Sequence, residues 1–397
     1  MDGRQGTARR GRAFGLIVAT ACALPDAIPA PRRGGQRAPI APGRYVTLDG
    51  MRGLAALAVA LFHFDFIRAP HGYVAVDFFF ALSGFVLWQA YHDRWRGGHG
   101  TVAFMRQRVV RLYPLFLLGM VLCTCVAFGR IALGDDGVPS PTRILYSLPT
   151  NLLMLPSPVT HALFPINLPA WTLFFELVAS LLMVLVMFRL PRLGLVLICA
   201  LSAWIMVPVV IAHKSANIGA LWREWDVALA RTMFSFSLGA LIARLPRPAE
   251  RPAGWVGALL LLAIAYALGL FVGFGLGVSI PVKTPEIAQY DLLCILVLWP
   301  VLLFLGSRFE CPAALERPAH FLGEVSFALY AVHWALIEPF RWFKDQAGWN
   351  PLLCAVLYIA MALAVSWMAV DFYDVPFRRW LNRSATTARG NGAVPSA

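Results

Sequence analysis

Two ionisable residues, Arg52 and His63, stand inside the apolar stretch YVTLDGMRGLAALAVALFHF at residues 45–64. An ionisable side chain in the hydrocarbon of a membrane costs roughly 2.5 kcal/mol or more, so such residues usually face a cavity and serve a function. A separation of eleven residues is about three helical turns, which places both on one helical face, about 16 Å apart along the axis. An imidazole suits proton transfer near neutral pH, and a guanidinium suits an anionic ligand.

Two further ionisable residues, Glu176 and His333, fall at a depth similar to that of His63 when residues are counted along their predicted membrane spans. A carboxylate close to an imidazole can orient the ring and stabilise its charged form. We therefore expect the three side chains to converge. A structural interpretation stays open for two of them: His63 as a packed histidine bonded to a carbonyl, and Glu176 as an ion-pair partner of Arg231.

The segment RQRVVRLYP places Arg108 and Arg111 one helical turn apart at the predicted start of the third span. Together with Arg52 they would form a basic vestibule for an anionic, phosphate-bearing ligand, because guanidinium groups bind phosphate through paired hydrogen bonds. The alternative is that these arginines only set the membrane topology.

Composition places these residues in a membrane protein. Of 397 residues, 59% are hydrophobic and 14% are charged, and the mean hydropathy is +0.67, whereas soluble domains are about 25% charged. The net charge of +13 comes from basic residues between apolar runs, so nucleic acid is not expected as a partner. The seven cysteines show no C-x-x-C spacing, and we assign no disulfide and no metal site.

The apolar runs predict an all-α polytopic membrane protein with about ten transmembrane helices in one bundle. The predicted spans are residues 47–67, 72–92, 111–130, 170–188, 193–212, 227–243, 254–275, 287–306, 320–340 and 350–372. The apolar piece at 144–155 is too short to cross and is expected to be a re-entrant or surface element. With both termini cytoplasmic, inside segments carry twenty-four Lys and Arg residues and outside loops carry eight, as the positive-inside rule requires.

The predicted domains are a disordered basic cytoplasmic tail (1–44), a transmembrane domain (45–376) and a second basic cytoplasmic tail (377–397). The run FGLIVATACAL in the first tail also resembles a weak secretory signal peptide. Both interpretations of that segment stay open.

Five ordered sequence blocks resemble the membrane-bound acyltransferase 3 family, which includes O-acetyltransferases of surface polysaccharides. They are LDGMRGLAALAVALFHF with the Arg-x10-His pattern, FFALSGF, RVVR, PAWTLFFE and GEVSFALYAVHW. The chain departs from the usual pattern at Met51, Thr172 and Phe327, where Leu, Ser and Tyr are common. The family positions that the blocks contribute, in chain order, are Arg52, His63, Ser83, Gly84, Arg108, Arg111, Trp171, Glu176, Ser326, Tyr330 and His333.

The resemblance implies an O-acyltransferase of the bacterial inner membrane, with the lipid bilayer, acyl-CoA and a carbohydrate or glycoconjugate as partners. An acyl group, commonly acetyl, would pass from cytoplasmic acyl-CoA, a co-substrate with no permanently bound cofactor, to a hydroxyl. His63 would act as general base or carry the acyl group itself, and Glu176 would orient His63 or grip the acceptor. The three arginines would hold the donor, and the cavity-lining residues would be Ser83, Gly84, Trp171, Ser326, Tyr330 and His333.

Two other functions use the same features. A carrier or flippase would bind or shuttle a solute with the same buried charges. A nonenzymatic membrane scaffold is disfavoured, because it gives no reason for ionisable residues in at least four spans.

Overall fold

The computed structural model describes residues 44–65, 68–134, 139–248, 250–271 and 283–381, and the chain there is almost wholly helical. The helices are α1 Val46–Phe64, α2 Ala75–Arg96, α3 Thr101–Ala132, α4 Pro141–Leu152, α5 Trp171–Leu185, α6 Arg192–His213, α7 Trp225–Ala243, α8 Trp255–Ala267, α9 Pro285–Gly306, α10 Ala313–Asp345 and α11 Pro351–Leu381. Helix α9 contains a π-helical turn at Cys294–Leu298, and α11 contains one at Ala369–Asp374.

Nine helices in the described ranges are long and apolar enough to cross a membrane. They confirm the all-α polytopic membrane fold. The span predicted at 254–275 corresponds to α8, which has 13 residues, and the last part of that prediction lies outside the described residues. The tail predicted at 1–44 also lies outside them except for its last residue, as does the tail at 377–397 beyond Leu381, where α11 ends.

Loops on each side of the bundle are joined by hydrogen bonds, which identifies two faces. Arg251 donates to the carbonyl of Arg44, and Arg192 donates to that of Arg244; we call this side the N-terminal face. On the opposite side, the distal face, the indole of Trp222 donates to the carbonyl of Ser157 at 2.6 Å. Apart from α4, successive helices run between these two faces in alternating directions.

Several helices that start on the distal face have a cap followed by proline. Asn350 Oδ1 accepts hydrogen bonds from two backbone N–H groups of α11, and Pro351 occupies the first helical position. Thr284 and Pro285 begin α9 in the same way. A capping side chain satisfies a free N–H group, and proline there loses no hydrogen bond, so these pairs define where the chain re-enters the bundle.

Glycines allow the two closest helix pairs to meet. Gly53 of α1 packs against Leu322 of α10, and a Cβ atom there would lie 2.3 Å from the Leu322 Cβ. In the second pair, Gly84 of α2 packs against Phe236 of α7. Small residues at such crossings are typical of membrane bundles, because packing between helices replaces the hydrophobic driving force. Since α1 and α10 carry His63 and His333, their close packing sets the separation of these two rings.

The apolar piece between α3 and α5 forms the short helix α4 on the distal side. It has 12 residues, which is too short to cross the membrane. Ser147 and Asn151 are buried and face the bundle, where Ser147 Oγ lies 2.8 Å from Ser157 Oγ. Leu145 and Tyr146 are exposed. The segment is therefore an amphipathic helix held against the distal loops by its polar side.

Candidate active site

Two histidines from different helices meet near the distal end of the bundle. His63, near the end of α1, has its Nδ1 atom 3.0 Å from Nε2 of His333 on α10. The ring centroids are 5.1 Å apart, and the ring planes differ by 16°. His333 is fully buried, while His63 is partly exposed. The predicted convergence of these two residues therefore appears in the structure as a direct contact.

The exposed side of His63 borders a cavity of about 330 Å³ on the distal face. Trp171 and Tyr330, both predicted to line a cavity, do so. The Tyr330 hydroxyl donates to the carbonyl of Pro169 at 3.0 Å and lies 2.6 Å from Thr172 Oγ1. These bonds tie α10 to the start of α5. Tyr330 is thus held rigidly in the wall of the cavity.

The mouth of the cavity is polar. Arg223 and Lys283 lie there with Glu224, and Lys283 Nζ is 3.0 Å from Nε2 of His213. Glu224 also accepts a hydrogen bond from the backbone N–H of Gly219 at 2.8 Å. Aromatic walls with a few fixed polar groups are typical of sites that bind small molecules. A polar ligand entering from the distal side would meet His63 inside this cavity.

Glu176 lies in a second polar cluster. Its Oε1 atom accepts hydrogen bonds from a guanidinium N–H of Arg108 and from the Ser83 hydroxyl, the latter at 2.6 Å. The Arg108 side chain is 5% exposed and that of Glu176 is 17% exposed. Glu176 was predicted to orient His63. Its carboxylate instead bonds Arg108, and the side chain that contacts His63 is His333, so that prediction is corrected.

The three predicted donor-binding arginines gather on the side of the N-terminal face. Arg52 donates to the carbonyl of Gly323 at 2.5 Å and lies 3.2 Å from Asp49. Arg111 lies close enough to Arg52 and Arg108 to interact with both electrostatically. The buried Nε atoms of Arg52 and Arg108 have no hydrogen-bond partner among the described residues. Guanidinium groups with unused donors are suited to bind an anion.

Comparison with known proteins identifies the family. A family model described as an acyltransferase domain matches residues 45–371. The chain belongs to the acyltransferase 3 family. It is therefore a membrane enzyme that transfers acyl groups other than aminoacyl groups, and the carrier and scaffold interpretations are set aside.

Three relatives illustrate the range of this acyltransferase family. Protein 2 in the picA locus of Rhizobium radiobacter is 42% identical over 154 residues, which cover 35% of this chain and 80% of that protein. Acyltransferase MdmB of Streptomyces mycarofaciens is 30% identical over 375 residues, covering 82% and 88% of the two chains. Peptidoglycan O-acetyltransferase OatA of Listeria monocytogenes is 33% identical over 82 residues, which cover 20% of this chain and 13% of that protein. No solved structure matches the chain.

The other four residues predicted to line the cavity of this acyltransferase do not border it: Ser83, Gly84, Ser326 and His333. A Cβ atom at Gly84 would lie 2.0 Å from the carbonyl oxygen of Phe236, so Gly84 faces α7 and a ligand has no access to that side. The Ser326 hydroxyl donates to the carbonyl of Gly323 in its own helix at 2.8 Å. Gly84 instead allows close helix packing, and Ser326 binds the same carbonyl as Arg52. Ser83 bonds Glu176, and His333 lies behind His63.

Arg231, which also borders the cavity of the acyltransferase, pairs with Asp77. Its guanidinium lies 2.5 Å from Asp77 Oδ2 and donates to the carbonyls of Ala216 and Ile218, each at 2.6 Å. Both side chains are buried. The alternative that Arg231 forms an ion pair with Glu176 is therefore wrong, because the partner of Arg231 is Asp77. The sequence does contain an indication of this pair, because Asp77, like Glu176, is an acidic residue within an apolar run.

Asp291 is a site residue that the sequence analysis missed. Its buried carboxylate accepts hydrogen bonds from the Tyr73 hydroxyl at 2.8 Å and from the backbone N–H of Ala216 at 2.7 Å. Tyr73 and Ala216 both line the cavity of the acyltransferase. Asp291 thus anchors one side of the cavity wall to α9. The position of Asp291 in the apolar helix α9 could have identified it from the sequence, because an acidic residue there needs a polar partner.

Proposed function

We propose that this acyltransferase moves an acyl group, with acetyl as the first candidate, from acyl-CoA to a hydroxyl of a carbohydrate or glycoconjugate. The donor binds from the N-terminal face and the acceptor enters the distal cavity. The observation that carries the proposal is the separation of two polar sites along α1. The arginine cluster surrounds Arg52 near the start of this helix, and His63 lies near its end. The relative OatA is a peptidoglycan O-acetyltransferase, which is consistent with such an acceptor.

The arginine cluster is suited to the anionic end of the donor. Phosphate groups of coenzyme A would engage Arg52, Arg108 and Arg111 through paired hydrogen bonds. The buried Nε atoms of Arg52 and Arg108 have no hydrogen-bond partner among the described residues. Arg52 and His63 are about 16 Å apart along the axis of α1. The long, uncharged pantetheine arm of coenzyme A suits that separation, because it places the thioester far from the phosphates. Glu176 keeps Arg108 in place by pairing with it.

His63 then supplies the acid–base chemistry. The imidazole accepts the proton of the acceptor hydroxyl as the hydroxyl oxygen attacks the thioester carbonyl carbon. The carbon–sulfur bond breaks, the thiolate of coenzyme A leaves, and it takes up the proton from the imidazolium. The products are the ester and the free thiol, and His63 returns to its neutral form. No net proton is gained or lost in this exchange.

The location follows from the same proposal. Acyl-CoA is made in the cytoplasm, so the N-terminal face and both termini are cytoplasmic, and the membrane is a bacterial inner membrane. The excess of basic residues on the segments of that face supports this orientation. An acceptor that enters from the distal face would then be modified on the outer side.

An acceptor assay in oriented proteoliposomes tests this function. Labelled acetyl-CoA is supplied at the N-terminal face, and a panel of saccharides with free hydroxyls is supplied at the distal face. The expected result is label transferred to one class of saccharide, with free thiol released in equal amount. Label on no saccharide, or only on saccharides mixed with the donor at the N-terminal face, would contradict the proposed acceptor or the proposed sidedness.

A further inference from the structure

We infer that His333 is a positioning residue that holds neutral His63 with its proton on Nδ1, leaving Nε2 as the nitrogen that accepts the proton of the acceptor. This inference rests on the proposed function, in which His63 is the general base. Beyond that function, it identifies Nε2 of His63 as the reacting nitrogen and His333 as the residue that determines this choice.

The first proton is assigned by the backbone of α10. His333 Nδ1 lies 2.8 Å from the carbonyl oxygen of Tyr330 and 3.2 Å from that of Leu329. A carbonyl oxygen can only accept a hydrogen bond, so Nδ1 of His333 carries a proton. The ring has no exposed surface, and a neutral ring suits such a site. In neutral His333, Nε2 therefore has a lone pair and acts as an acceptor.

The second proton follows from the contact between the rings. His63 Nδ1 lies 3.0 Å from this acceptor, so it must be the donor of that hydrogen bond. The ring planes differ by only 16°, which alone would also fit stacked rings. With the two nitrogens 3.0 Å apart and the centroids as far apart as 5.1 Å, however, both nitrogens lie close to the line that joins the ring centres, so the rings meet through their edges. The bond consequently lies close to both ring planes, in the direction of the lone pair. With its proton on Nδ1, neutral His63 has its free lone pair on Nε2.

Neighbouring groups hold the two rings in this arrangement. Arg341 donates to the backbone carbonyl of His63 at 2.5 Å, and the Tyr358 hydroxyl donates to the backbone carbonyl of His333 at 3.3 Å. The indole of Trp334 packs edge-on against His63 with centroids 5.2 Å apart. These contacts restrict the backbone and the ring of His63. The choice of proton position then depends on His333 Nε2.

The pair also functions after proton transfer. When His63 accepts a proton on Nε2, the imidazolium keeps its Nδ1–H bond to His333, so the ring does not turn during the reaction. Without an acceptor at position 333, the single proton of neutral His63 can occupy Nε2. That form presents an N–H group to the hydroxyl and cannot remove its proton.

Two substitutions at position 333 test the inference. In His333→Gln, the amide oxygen can occupy nearly the place of Nε2 and accept the bond from His63. In His333→Leu, no acceptor remains. We expect kcat for acyl transfer to fall about 100-fold or more in His333→Leu and to stay within about tenfold of wild type in His333→Gln. KM for acyl-CoA should change little in either variant, because the arginine cluster is distant.

Ser366→Ala is the matched control. It removes a buried hydrogen bond within α11, from the Ser366 hydroxyl to the carbonyl of Ala362, without touching either imidazole, and we expect kcat within about threefold of wild type. Melting temperatures in detergent check that all variants are folded. Equal kcat values for His333→Leu and His333→Gln, or a kcat of His333→Leu within about threefold of wild type, would overturn the inference.

A spectroscopic readout separates this inference from the proposed function. Nitrogen-15 NMR of histidine-labelled protein reports which nitrogen of His63 carries the proton, whether or not transfer occurs. The expected signal is Nδ1–H for wild type and His333→Gln, and a shift toward Nε2–H for His333→Leu. A wild-type Nε2–H signal contradicts the role of His333. Failure of the wild-type protein to transfer acyl groups would instead contradict the proposed function.

Discussion

Arg108 of α3 and Glu176 of α5 form an ion pair inside the bundle, at the edge of the arginine cluster. The same carboxylate oxygen also accepts the hydroxyl hydrogen of Ser83 from α2. One carboxylate therefore joins three membrane helices and offsets part of the positive charge of Arg52, Arg108 and Arg111. The pair makes Glu176 a structural support of the donor site.

Replacing Glu176 should destabilise the protein. In Glu176→Gln, the buried guanidinium of Arg108 loses its counter-charge, and breaking a buried pair on one side costs about 3–5 kcal/mol. We expect a melting temperature in detergent several degrees below that of wild type. Ser83→Ala is the control, because it removes one neutral hydrogen-bond donor to the same oxygen and should cost about 1 kcal/mol. A melting temperature of Glu176→Gln equal to that of Ser83→Ala would argue against a stabilising pair.

Replacing Arg111 should weaken binding of the donor. Loss of one charge-assisted hydrogen bond to phosphate costs about 1.5–3 kcal/mol, so KM for acyl-CoA should rise roughly tenfold or more in Arg111→Ala. Arg106→Ala is the matched control: Arg106 lies on the same helix but is exposed and donates to the carbonyl of Leu381. The two variants are compared by steady-state kinetics at saturating acceptor. Equal KM values in the two variants would remove Arg111 from the donor site.

A methyl group at Gly84 should disrupt the packing of α2 against α7. The added Cβ would lie 2.0 Å from the Phe236 carbonyl oxygen, and neither backbone can move without separating the helices. We expect Gly84→Ala to give little folded protein in size-exclusion chromatography. Gly129→Ala in α3 is the control, since nothing lies within 4 Å of its Cβ position, and alanine favours the helix by about 1 kcal/mol. Similar yields of folded protein from both would contradict the packing role.

Much of this architecture could be predicted from the sequence. Apolar runs of sufficient length predicted the membrane helices, because the bilayer requires a nearly continuous apolar segment. The family blocks contain His63 and His333, which contact each other, and Arg108 and Glu176, which form an ion pair, but they do not contain Asp291. The spacing of Arg52 and His63 in one helix placed the two sites at opposite ends, since helical rise converts sequence separation into distance.

The partners of the buried charges could not be predicted by counting residues. The third span was predicted from residue 111, which leaves Arg108 outside it, whereas α3 begins at Thr101. Arg108 therefore lies within the helix, where its side chain meets Glu176. Similarly, Arg231 pairs with Asp77 because α2 packs against α7. Such pairings depend on which helices are neighbours, and hydropathy carries no information about that.

The proposed acyl transfer from acyl-CoA depends on His63. The most direct measurement is release of free thiol from acetyl-CoA by detergent-purified wild-type protein and by His63→Ala, with saccharide acceptors added. We expect release by wild type to increase with an effective acceptor, and to be lost in His63→Ala while the melting temperature and donor binding are retained. Full thiol release by a folded His63→Ala protein would contradict the role of His63.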